Sequence, residues 1–145
     1  MGDEKKIEYR SDNVYGLMQD LTEQIADRMT ELRSKTPFAD VWPSDAKTFM
    51  LISRHPRTIS ELARALKISR QATHRSVMRL VERGGVELVP APGSNRDKIA
   101  IVTELGKRAR SMAAKNNQIV EAEMAEKIGA DKVEELRAIL KKLQQ

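Results

Sequence analysis

From Ser69 to Arg79 the chain reads Ser-Arg-Gln-Ala-Thr-His-Arg-Ser-Val-Met-Arg, a run suited to gripping a polyanion rather than to making or breaking bonds. Arg and Gln offer paired hydrogen-bonding groups that match guanine and adenine edges, each good pair giving ~1–3 kcal/mol of discrimination. At helical spacing, Thr73, Ser76, Val77 and Leu80 form an inner set, with two hydroxyls where apolar side chains are usual. Arg70, Gln71, His74, Arg75 and Arg79 fall on the outer side. Arg70, Gln71, His74 and Arg75, near the helix start, are candidates for base contact. Arg79 and Arg83, with Arg64 on the preceding helix, are expected to meet phosphate. Ser69, Arg96 and Lys98 complete the candidate set. A solvated basic helix would carry the same charges, so the elements around it must decide.

The residues of covalent chemistry are missing or scattered. The 145-residue chain has no cysteine, which excludes disulfides, thiolate nucleophiles and cysteine-based zinc sites. Its two histidines, His55 and His74, lie on different elements without metal-ligand spacing. Ser60, Ser69 and Thr103 read as helix caps or starts, and no Ser-His-acid grouping or phosphate-loop pattern is found. The chain is read as a binder, not an enzyme, with no cofactor. Met1-Gly2-Asp3-Glu4-Lys5-Lys6 has no apolar region behind it, and no apolar run approaches the ~20 residues of a membrane span. A cytoplasmic protein without membrane partners is expected.

Charge is distributed unevenly. Residues 54–110 hold 13 Lys and Arg against 5 Asp and Glu, while the rest of the chain holds 13 against 16. A basic middle between mildly acidic ends fits a polyanion site formed by the central segment.

The elements that must position these side chains follow from periodicity and punctuation. Val14, Leu17, Met18, Leu21, Ile25, Met29 and Leu32 mark one stripe of a helix expected from Ile7 to Leu32, ended near Pro37. Ser44 can cap a second helix from Asp45 to Arg54, and Thr58 with Glu61 forms a capping box for a third, Ile59 to Leu66. Lys67-Ile68-Ser69 is a turn too short for antiparallel neighbours, so the next helix, through Arg83, must cross steeply. Gly84-Gly85 stops it. Val86–Val89 and Lys98–Val102 read as a hairpin around the tip Pro90-Ala91-Pro92-Gly93-Ser94-Asn95. A fifth helix runs from Thr103 to about Ile128, and a sixth from Asp131 to Leu143. Helix, short turn, helix and basic hairpin together suit a helix-turn-helix, whose second helix enters the major groove. The fold class is mainly α: a winged helix-turn-helix core with a small β-hairpin wing and long terminal helices.

Residues 44–106 resemble the winged helix-turn-helix core of the MarR (multiple antibiotic resistance regulator) family. Ile59-Ser60-Glu61-Leu62-Ala63 is similar to the family's second-helix pattern, and Val77-Met78-Arg79-Leu80-Val81-Glu82-Arg83-Gly84 to the end of its recognition helix. Val102-Thr103-Glu104-Leu105-Gly106 resembles its strand-to-helix junction. The resemblance implies a single domain over 1–145, a DNA-binding core at 44–103 and dimerisation helices at 7–34 and 104–143. It also implies that Arg96 enters the minor groove. Two positions depart from the pattern. Ser94 stands where a carboxylate usually holds that Arg, with Asp97 as an alternative partner, and Gly85 replaces an aliphatic residue, which predicts a looser wing.

The function expected is that of a homodimeric, sequence-specific regulator of transcription, a repressor, on a pseudo-palindromic duplex. The resemblance adds a small aromatic effector bound between core and dimerisation helices. Trp42, Met18 or Met112 could line such a crevice; the plainer role for Trp42 is a core aromatic closing the hinge. A winged-helix module that docks another protein, and a nonspecific architectural DNA binder, are the rival readings.

Overall fold

The computed structural model describes residues 11–145; residues 7–10 of the expected first helix lie outside them. Asn13 sets the start of α1 (Val14–Arg33), its side-chain oxygen accepting from the Gly16 amide at 2.8 Å. The helix therefore begins at Val14, because a side chain that satisfies a free amide defines an end more sharply than apolar spacing does. Likewise α2 (Pro43–Arg54) starts one residue before the Ser44 expected to cap it. Pro43, with its preset φ and no donor to lose, takes the first helical position instead.

Three caps read from the sequence are in place. Thr58 accepts from the Glu61 amide at the head of α3 (Ile59–Leu66), Ser69 from Ala72 at the head of α4 (Arg70–Glu82), and Thr103 from Gly106 at the head of α5 (Glu104–Ile128). Such caps contribute ~1 kcal/mol each and fix where a helix points. Lys67, with φ 56°, occupies the left-handed region and turns the chain from α3 into α4. The last helix, α6, spans Ala130–Leu143.

The sheet has one strand more than expected. Besides β2 (Val86–Pro90) and β3 (Lys98–Val102), Arg57–Thr58 forms β1, and the order β1-β3-β2 is antiparallel throughout. Two residues are too few to show strand alternation, so β1 left no pattern to read. Its pairing of Arg57 with Ala100 and Thr58 with Ile99 ties the wing to the residue that caps α3.

Ile52, Leu62, Val77, Leu80, Val86 and Ala100, from α2, α3, α4, β2 and β3, form the buried core. Full burial of each Ile, Leu or Val contributes about 1.5–3 kcal/mol. At the base of the wing the Gly85 carbonyl accepts from the Thr103 amide at 3.1 Å, and the missing Cβ of Gly106 lets the start of α5 approach that carbonyl, whereas a Cβ at Gly85 would meet only ordinary contacts.

The terminal helices are covered far less. α1 packs on α5 and α5 on α6, joined by Arg28–Glu123 and Arg137–Glu121 ion pairs. Only Leu32, Val120 and Val133 among their large apolar side chains are buried.

Candidate nucleic-acid interface

The inner face of α4 is the one expected: Thr73, Ser76, Val77 and Leu80 are all buried. Its two hydroxyls have specific partners. Thr73 Oγ1 donates to the Ser69 carbonyl at 2.9 Å, tightening the first turn. Ser76 Oγ lies 2.7 Å from Asp45 Oδ1, to which it donates, and 2.9 Å from Thr48 Oγ1. Buried polar groups placed this way avoid the cost of unmet hydrogen bonds.

With the inner face fixed, the helical period of 3.6 residues distributes the rest. Gln71 and Arg75 point directly away from the core and are exposed. Arg70 and His74, also exposed, occupy the flank toward the wing. There they line a cleft of about 410 Å³ with Thr58, Ile59, Ser60, Met78, Leu88, Arg96, Asp97 and Lys98. The fold thus gathers Arg70, His74, Arg96 and Lys98, residues up to 28 positions apart, around one opening. Arg64 is exposed on α3 outside this cleft, and Ser69 is exposed with its hydroxyl committed to capping α4.

The wing tip is shaped by Ser94. Its hydroxyl accepts from the amides of Arg96 at 3.2 Å and Asp97 at 3.0 Å, while the Ala91 amide donates to the Asp97 carbonyl at 2.8 Å. Ser94 therefore holds the backbone of the turn and not the guanidinium of Arg96. Among the described residues, Arg96 makes no ion pair, with Asp97 or any other carboxylate.

Arg79 and Arg83, expected to meet phosphate, are each paired with a carboxylate in this structure. Both lie on the opposite flank of α4, facing α2. Arg79 forks onto Asp45, Nε to Oδ2 at 2.8 Å and Nη2 to Oδ1 at 2.9 Å, and its guanidinium stacks 4.6 Å from the Trp42 ring centroid. Arg83 Nη1 donates to Asp40 Oδ1 at 2.8 Å. Each charge is already matched by a carboxylate, and spacing along one helix carries no sign of partners 34 and 43 positions away.

Burial would raise the Asp45 carboxyl, but hydrogen bonds from Arg79 and Ser76 and the Arg79 charge outweigh it and hold the group below the usual carboxylate range. The Arg79 guanidinium is raised by the same bond. Trp42 is 59% exposed, so it is not a core aromatic closing the hinge; it forms the outer layer of the Asp45–Arg79 pair. Trp42, Asp40, Asp45, Arg79, Glu82 and Arg83 line a second, open cleft of about 480 Å³.

Among the described residues, no three His, Asp or Glu side chains are grouped to hold a metal ion, and no helix is long and apolar enough to cross a membrane. What the surface offers is exposed guanidinium, amide, imidazole and ammonium groups on a helix and an adjacent hairpin. That is equipment for hydrogen bonding to base edges and for neutralising phosphates.

Comparison with known proteins bears on the fold. The sequence model of the MarR family matches residues 40–97. Among solved structures, the chain is similar to wild-type MarR from E. coli in its apo form, at 23% identity over 94% of this chain and 100% of that one, with a TM-score of 0.77. A Mycobacterium tuberculosis protein matches at 19% identity over 94% and 95% of the two chains, TM-score 0.71. A transcriptional regulator from Thermotoga maritima matches at 16% identity over 88% and 89%, TM-score 0.67. A search among curated proteins found no match. The winged-helix fold expected from the sequence is therefore the fold of MarR over nearly the whole chain.

Proposed function

We propose that this chain, whose residues 40–97 are of the MarR family and whose fold is that of MarR, is a homodimeric repressor that reads duplex DNA through α4 and the wing. Members of that family regulate transcription and are not enzymes. The observation that carries the reading is the division of α4: four buried residues seat it, and the base-reading types Arg70, Gln71, His74 and Arg75 all remain exposed.

In this reading Gln71 and Arg75, opposite the core, meet base edges in the major groove, with Arg70 and His74 beside them. Arg64 and the Ser69 end of α4 face the phosphates that border the groove, and so does Lys98, at the tip end of the wing strand β3. Arg96, which pairs with no carboxylate among the described residues, enters the adjacent minor groove, whose narrow A·T tracts attract guanidinium most strongly. The uncovered apolar side chains of α1, α5 and α6 are the second support. Val14, Tyr15, Leu17, Met18 and Leu21 on α1, Ile119 on α5, and Ile139 and Leu143 on α6 are all exposed. Exposed large apolar side chains in this number on three terminal helices mark an interface, and a two-fold partner built from the same helices would cover them. Two recognition helices so joined read half-sites about one helical turn apart, on the order of 10 bp. A small aromatic effector would act by changing the separation of the two cores.

The test is binding of duplexes by substituted chains. Gln71→Ala and Arg75→Ala should each cost about 1–3 kcal/mol of preference for the operator over random duplex, roughly 5- to 150-fold, with nonspecific affinity nearly kept. Arg96→Ala should weaken sites flanked by A·T tracts more than sites flanked by G·C, and lower the salt slope by about one. Equal losses on every duplex from all three substitutions would favour a nonspecific binder. Unchanged DNA binding would favour a protein-docking module.

A further inference from the structure

Asp45 is a buried acid in a helix that none of the DNA contacts above require. Its side chain is 5% exposed, and all its hydrogen bonds go to α4: Ser76 at 2.7 Å, Arg79 Nε at 2.8 Å and Arg79 Nη2 at 2.9 Å. Ser76 and Arg79 stand three residues apart, so their donors leave α4 about one turn apart along its axis. One carboxylate engaging both restrains the helix against rolling and against sliding on α2, which apolar packing alone restrains weakly. The fork of an arginine on a carboxylate is directional, and Trp42 stacked over the guanidinium limits its swing. Gln71 and Arg75 lie on the outward face of the same rigid helix, about two turns and one turn before Arg79. Any roll of the helix would carry those two side chains out of register with base edges.

We propose that Asp45, through Ser76 and Arg79, is a positioning residue for sequence discrimination, setting the angle at which α4 presents its base-reading face. The role rests on the DNA-reading function above and deepens it. It makes Arg79 a structural strut in the recognition of DNA instead of a phosphate ligand. Removing one half of a buried ion pair leaves the other charge unpaired and costs stability, whereas replacing both halves by apolar residues of similar size is often neutral. That difference separates positioning from simple stabilisation.

The experiment compares wild type, Asp45→Asn and the double variant Asp45→Leu/Arg79→Met. Each is measured on a duplex of the consensus selected by the wild type and on a scrambled duplex of equal length, with thermal melting alongside. The expected result is a loss of about tenfold in operator preference for both variants, at the low end of one misread base pair. Affinity for the scrambled duplex stays near wild type, and the double variant melts near wild type. A double variant with full preference would overturn the proposal, leaving the pair a stabilising contact only. Tighter binding of both duplexes by Asp45→Asn, with a steeper salt slope, would overturn it in another way, by revealing Arg79 as a phosphate ligand masked by Asp45. A wild type that itself prefers no sequence would remove the DNA-reading function and this role together.

Discussion

A chain carrying Leu17→Glu and Leu21→Glu is expected to sediment as a monomer and to bind its operator two to four orders of magnitude more weakly than wild type. The two leucines sit one turn apart on α1 and are 50% and 43% exposed in the single chain. Carboxylates there leave the winged-helix core of Ile52, Leu62, Val77, Leu80, Val86 and Ala100 untouched. They would, however, place four carboxylates inside an apolar two-fold interface, where burying unpaired charge is costly. Losing the second recognition helix removes the gain of linked binding, which is worth about 10²–10⁴ in affinity without any lost contact per half-site. Sedimentation at working concentration, paired with binding to full and half operators, checks both parts. A double variant that stays dimeric would move the interface away from α1. One that turns monomeric yet keeps full affinity would break the link between pairing and DNA reading.

The second large effect concerns the joint between wing and α5. A Cβ at Gly106 would collide with the Gly85 carbonyl oxygen and lie 2.6 Å from Val102 Cγ1, far inside van der Waals contact. Neither neighbour moves easily, since Gly85 accepts from the Thr103 amide and Val102 is in β3 paired with Val86. Gly106→Ala should therefore cost about 3 kcal/mol, the upper part of the usual overpacking range, and lower Tm by roughly 10 °C. Gly93→Ala is the useful comparison. Nothing lies within 4 Å of its Cβ, and only its φ of +74° opposes the change, at a cost of about 1–2 kcal/mol. If the two variants melt alike, the close approach at Gly106 is relieved by a shift of α5, and that joint is softer than its geometry implies.

Much of the architecture was legible because local rules and packing agree along the central segment. Thr58, Ser69 and Thr103 are capping residues by type, each stands before an apolar or helix-favouring run, and each makes the hydrogen bond expected. The hairpin followed from β-branched runs around a proline- and glycine-bearing tip. At Asn13 and Pro43 several residues could have started a helix, and neighbouring backbone geometry chose among them.

The site was legible for a different reason, and to a smaller extent. Periodicity told which residues of α4 face out, and Arg70, Gln71, His74 and Arg75 do. It could not tell that the flank holding Arg79 and Arg83 lies against acids. Asp45 and Asp40 reach them from α2 and its preceding connector, and no residue pattern marks a pairing between separate elements. Thr73 and Ser76 were the available signal: hydroxyls on an inner face call for buried partners, and Ser76 leads to Asp45. Trp42 misled because an aromatic beside an apolar helix usually joins the core, whereas here a guanidinium covers one face and solvent the rest.

Selection of bound duplexes from a random pool, using the full chain, confronts the account with its hardest demand. A consensus of two inverted half-sites centred about 10 bp apart is the outcome it requires, because only paired copies of α4 at a fixed separation would write that symmetry into DNA. A pool that emerges without enrichment, or with a single unsymmetric site, would contradict it.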